Sequence, residues 1–76
     1  MPNTEDEFFA SHPHVDVLVD FNSEVDEQLT ALFRDFRSGL CPEVGSVFVA
    51  GDWGATPAKV QVLEVAGQLV RLRVLD

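Results

Sequence analysis

Asn22-Ser23-Glu24-Val25-Asp26-Glu27-Gln28-Leu29-Thr30-Ala31-Leu32-Phe33-Arg34-Asp35-Phe36-Arg37-Ser38-Gly39 is the stretch on which the fold turns. Val25, Leu29, Leu32, Phe33 and Phe36 recur at three- and four-residue spacing, which predicts one apolar stripe along an amphipathic helix. Asn22 or Ser23 supplies the N-cap. Glu24, Asp26 and Glu27 fall in the first turn, where the helix dipole favours negative charge, and Gly39 is a natural stop.

On either side of this stretch the pattern changes period. Over residues 14–21, Val15, Val17, Val19 and Phe21 alternate with His14, Asp16, Leu18 and Asp20, the mark of a half-buried strand. After Leu40-Cys41-Pro42, strands are expected over 44–50, 58–65 and 69–75. Ala66-Gly67 supplies a tight hairpin between the last two, and the breaker-rich segment 51–57 links the first two. Residues 1–14 read as an arm. There Thr4 and Glu7 form a capping box, and a short helical turn runs through Phe8, Phe9 and Ala10 before Pro13. The expectation is an α+β fold, with a single small domain over residues 15–76 in β-α-β-β-β order. One amphipathic helix packs on a mainly antiparallel sheet.

A chain of 76 residues with 46% hydrophobic residues supports one compact core and leaves little for a deep enclosed active site. The single cysteine, Cys41, allows no intrachain disulfide and reads as a small buried hydrophobe. With no long apolar run and an acidic start, the expectation is a soluble cytoplasmic protein. The net charge is −8 and the pI about 4.4, and the acid is unevenly spread. Residues 1–38 hold nine carboxylates against Arg34 and Arg37, whereas residues 39–76 hold four against Lys59, Arg71 and Arg73. No cluster of basic residues is available to neutralise phosphates, so direct nucleic-acid binding is not expected, and a basic protein surface is the natural partner. The absence of isoleucine and tyrosine and the single lysine also fit a GC-rich genome or a salt-adapted proteome. Salt adaptation, however, would spread acid over the entire surface.

No catalytic, cofactor or nucleotide motif is present. His12, His14 and Asp16 share one face of an extended strand and carry metal-ligand chemistry. Ligands two apart on a strand diverge, so an exposed polar face is the simpler reading, and no metal or cofactor is expected. Cys41 has no histidine placed to activate it. Trp53, between Gly51 and Gly54, fits a binding anchor and a lid on a small core equally well. Adjacent Phe8 and Phe9 cannot both face one core from a regular element. Either one packs and the other is left for a partner or a second copy of the chain, or both pack under an irregular arm, which is the simpler reading; a homodimer is compatible with the sequence.

Pro42-Glu43-Val44-Gly45-Ser46-Val47-Phe48-Val49, Ala58-Lys59-Val60-Gln61-Val62-Leu63-Glu64 and Leu69-Val70-Arg71-Leu72-Arg73-Val74 together resemble the opening strands of an SH3-like or Tudor barrel. The closing strands of those folds are missing after Asp76, and no cage of several aromatics can be assembled. The resemblance implies a peptide- or protein-binding module that works through Trp53, Phe48 and the 51–57 loop.

The leading expectation is a non-enzymatic, acidic protein-interaction module. Its sharper form is a small phage-type, anti-defence inhibitor that imitates nucleic-acid charge and blocks a basic, nucleic-acid-binding protein. Asp16, Asp20, Glu24, Asp26 and Glu27 supply the field, and Trp53 or Phe8 supplies a desolvated anchor. The alternative is the SH3-like or Tudor-like module using the Trp53 loop. No membrane contact is expected in either case.

Overall fold

Val60, Val62, Val70, Leu72 and Val74 alternate with less buried neighbours, and all five are buried in a single sheet. The structure, a computed structural model, describes residues 4–54 and 56–75. Its elements are a helix α1 (Thr4–Ser11) and strands β1 (Val17–Leu18), β2 (Gln28–Leu32), β3 (Val47–Gly51), β4 (Ala58–Ala66) and β5 (Leu69–Val74). Short 3₁₀ turns occupy Phe21–Ser23 and Phe33–Asp35. The side chains of Thr4, Glu5 and Asp6 lie outside the described residues, and with them the expected capping box.

The strands form one five-stranded sheet in the order β1-β3-β4-β5-β2. β1 runs parallel to β3, and every other pairing is antiparallel. The sheet curls into a half-barrel. A single bridge between Val17 and Phe36, with Arg37 N–H donating to the Asp16 carbonyl at 2.7 Å, ties its two edges together. The β4–β5 hairpin turns at Gly67, whose φ of +62° meets the demand of a two-residue turn. One extra residue in β4, Leu63, forms a bulge between the Val62–Leu72 and Glu64–Arg71 pairs and bends the strand.

The α+β expectation is overturned. Strand accounts for 43% of the structure and helical turns for 16%, and no amphipathic helix spans residues 22–39. That stretch instead makes a tight turn at Asp26-Glu27, strand β2 and a 3₁₀ turn. The helical stripe contains a second, shorter pattern, in which Leu29 and Ala31 are both 2% exposed while Gln28 and Thr30 face solvent. The β3–β4–β5 meander leaves the outer edge of β5 with unpaired peptide groups. β2 completes that edge over five residues, from Gln28–Arg73 to Leu32–Leu69. The helical reading also required Val25 and Phe33 inside, and both are exposed. Asp20 rather than Asn22 or Ser23 does the capping here, accepting from Asn22 N–H at 2.9 Å at the first 3₁₀ turn.

The interior of the half-barrel holds Val17, Val19, Leu29, Ala31, Phe36, Ala50, Val60, Val62, Val70, Leu72 and Val74. A second, smaller core lies on the other side of β1 and β3, where Phe8, Phe9 and Val15 pack with Leu18 and Val49. Helix α1 forms its roof, so the helix that covers the sheet comes from the arm. Phe8 and Phe9 are both buried, which leaves neither ring outside for a partner. Their rings meet edge to face at 5.3 Å. Gly51 makes room for Val15 in this core, because a Cβ there would come within 3.0 and 3.2 Å of the Val15 methyls.

Arg37 fastens this roof to the half-barrel. Its guanidinium donates to the carbonyls of Val15 (2.8 Å), His12 (3.0 Å) and Phe9 (3.4 Å). It also lies 4.9 Å from the centre of the Phe9 ring. Of these carbonyls, that of Phe9 belongs to the last turn of α1, where carbonyls lack partners within the helix.

Candidate functional site

The Gly51-Asp52-Trp53-Gly54 segment leaves β3 and is held by an Asx turn, with Gly54 N–H donating to Asp52 Oδ1 at 2.9 Å. Trp53 is 54% exposed. Its buried side meets Phe8 edge-on at 5.2 Å and His12 at 5.6 Å. His12 is itself stacked on Phe8 at 4.3 Å, and its Nδ1–H donates to the Phe8 carbonyl at 2.9 Å. The indole therefore serves as a partial lid on the second core while one side remains in solvent. Beyond it lies an open groove of about 540 Å³, with Leu18, Phe21, Asp20, Asn22 and Asp52 among its walls.

The carboxylates singled out from the sequence fall into three settings. Asp16 is half-buried and accepts from Val49 N–H at 2.9 Å, extending the β1–β3 pairing through its side chain. Asp20 is exposed on the Trp53 groove. Glu24, Asp26 and Glu27 are exposed around the turn that enters β2. There Val25 and Gln28 exchange two backbone hydrogen bonds, at 3.0 and 2.9 Å. Asp26 and Glu27 have φ of 52° and 64°, a type I′ turn built without glycine. Val25, at its shoulder, is 68% exposed. Phe8, the other proposed anchor, is fully buried beneath Trp53 and His12.

The charge asymmetry of the sequence is partly evened in space. Register places Arg73 opposite Gln28 and Arg71 opposite Thr30, so basic residues of the second half flank the strand that follows the acidic turn. Arg71 lines a second depression together with Asp26 and pairs with Glu64 at 2.7 Å. With both side chains about half exposed, that ion pair adds little stability.

The remaining candidates separate. His12 enters the aromatic cluster, His14 is exposed, and Asp16 is bound to the backbone. Among the described residues, no group of three or more His, Cys, Asp or Glu side chains could hold a metal ion. Cys41 is exposed rather than buried, and the neighbouring Pro42 packs inside instead. No helix of the described residues is long and apolar enough to cross a membrane. Two participants escaped the sequence reading. Asp52 carries an Asp-x-Gly Asx-turn signature that could have marked it, whereas nothing local marked Arg37 as the fastening of α1.

No family model matches the chain, and no curated protein or solved structure matches it either. The small curled sheet is compatible with an SH3-like shape, which bears on form alone.

Proposed function

We propose that this protein is a non-enzymatic, acidic interaction module that docks on a basic surface of another protein, with the tip of the turn entering β2 as its main contact. The observation that carries the reading is Glu24-Val25-Asp26-Glu27. All four side chains are exposed, and an apolar valine stands among three acids. Asp26 and Glu27 occupy the left-handed region, which aspartate tolerates but glutamate does not favour, so the strain falls on Glu27. Backbone strain kept in place by charged side chains is a pattern found at contact sites. A basic nucleic-acid-binding protein offers the complementary surface, and the module would then act by occluding it, as a phage-type inhibitor does.

The test is charge reversal at the tip. The triple variant Glu24→Lys, Asp26→Lys, Glu27→Lys keeps every buried residue and should retain the wild-type circular dichroism. Immobilised wild-type protein should bind a lysine-rich basic protein such as a histone, lose it as salt is raised, and release it to competing duplex DNA. The triple variant should not bind it. Equal, salt-insensitive binding by both proteins would discard the acidic-tip reading.

A further inference from the structure

We propose that the groove beside Trp53 receives an arginine side chain from a basic segment of the partner, a proposal that rests on the acidic-docking reading and adds a specific pocket to it. The half-exposed Trp53 lines the groove together with Asp20 and Asp52. Leu18 and Phe21 supply apolar surface for the aliphatic part of an incoming side chain. The groove lining among the described residues includes no Lys or Arg. Tryptophan is the ring that attracts cations most strongly, and a planar guanidinium stacks on it while hydrogen-bonding to carboxylates from its edge. A lysine ammonium is a point charge and cannot do both in one plane.

The site is partly pre-organised. Asp20 is held by its bond from Asn22 N–H and Asp52 by its bond from Gly54 N–H, both 2.9 Å. Trp53 is braced from behind by Phe8 and His12. An arriving side chain therefore orders little that is not already ordered, which favours binding. The open shape suits a side chain projecting from a protein segment better than an enclosed small molecule.

Trp53 is the only tryptophan and the chain has no tyrosine, so emission excited at the indole reports this groove alone. Hexa-arginine and hexa-lysine peptides are titrated at low salt into the wild type, into Asp20→Asn/Asp52→Asn and into Glu24→Gln/Asp26→Asn/Glu27→Gln. The Asn pair preserves both Asx turns, and circular dichroism checks that the fold is intact. Hexa-arginine should shift Trp53 emission and bind more tightly than hexa-lysine. The groove variant should lose about tenfold in affinity together with the arginine preference. The tip variant should weaken both peptides alike and keep the emission shift. Unchanged emission, equal affinity for the two peptides, or a groove variant that binds like the wild type would each overturn the arginine pocket. Loss of binding in the tip variant alone would leave acidic docking standing without the pocket. If neither peptide binds the wild type at low salt, both readings fall.

Discussion

Replacing Glu27 with glycine should make the protein more stable. Glu27 sits at φ +64°, the second of two consecutive left-handed residues between the hydrogen-bonded Val25 and Gln28. A side chain in that region costs roughly 1–2 kcal/mol, because Cβ approaches the following carbonyl oxygen. Glycine removes the clash but frees the unfolded chain, which gives back roughly 0.4–1 kcal/mol. The net gain is about 0.5–1 kcal/mol. For a domain of this size that raises the Tm by about 3–6 °C. The bond from Val74 N–H to the Glu27 carbonyl, at 2.7 Å, survives the change.

Charge offers a competing explanation, since glycine also removes one carboxylate from a protein of net charge −8. Glu27→Gln separates the two effects by removing the charge while keeping the strained Cβ. Thermal and urea denaturation followed by circular dichroism would be measured for both variants at low and at moderate salt. Glycine should exceed glutamine by at least about 0.5 kcal/mol at both salt concentrations, because steric strain is not screened. Equal Tm values for the two variants would assign the effect to charge. A Tm below the wild type for Glu27→Gly would refute the type I′ turn itself, and with it the pairing of β2 that replaces the expected helix.

Two further perturbations probe the second core. Arg37→Met keeps the aliphatic stem but removes the donors to Val15, His12 and Phe9. It should cost about 2–3 kcal/mol, a Tm loss of roughly 10–20 °C, and Arg37→Lys should recover less than half of it; full recovery by lysine would mean that charge alone holds α1. Gly51→Ala should destabilise by about 1 kcal/mol, because Val15 is fully buried and cannot yield to the new methyl. A double-mutant cycle with Val15→Ala should then return a coupling of about 0.5 kcal/mol or more, and strict additivity would place the clash elsewhere.

The parts of the fold that were legible are those whose information is local. β4, β5 and the Gly67 turn are specified by alternation and by one residue suited to positive φ, all within a span of 17 residues. β2 was misread because Leu29, Leu32, Phe33 and Phe36 satisfy a helical period as well as they satisfy anything shorter. Its partner, β5, lies some forty residues away in the chain. No window of sequence around residues 22–39 reveals that β5 has a bare edge to fill. The parallel pairing of β1 with β3 is illegible for the same reason, and it is completed by the Asp16 side chain, whose polar position in the alternation points to solvent-facing charge instead. Phe8 and Phe9 defeat a rule that holds for a helix on a flat surface. Here Phe8 packs toward Trp53 and His12, while Phe9 lies under the Arg37 guanidinium, so neighbouring residues are covered from different directions.

The exposure of Trp53 has a cause that links the two halves of the molecule. The indole cannot sink further, because Phe8 and His12 already occupy the space beneath it. Those two residues are there because α1 is fastened by Arg37, which leaves the end of β2's 3₁₀ turn and reaches back across the Val17–Phe36 bridge. The strand that was expected to be a helix therefore positions the guanidinium that holds helix α1 in place. That helix in turn fixes the tryptophan beside Asp20 and Asp52. It follows that the groove is sensitive to changes that never touch it. Loosening α1 would let the indole settle into the vacated core, where burying its apolar area is favourable, and the groove would lose a wall. A variant such as Arg37→Met should then weaken arginine-peptide binding and shift Trp53 emission before any peptide is added, whereas a groove whose shape came from its own loop alone would be left unchanged.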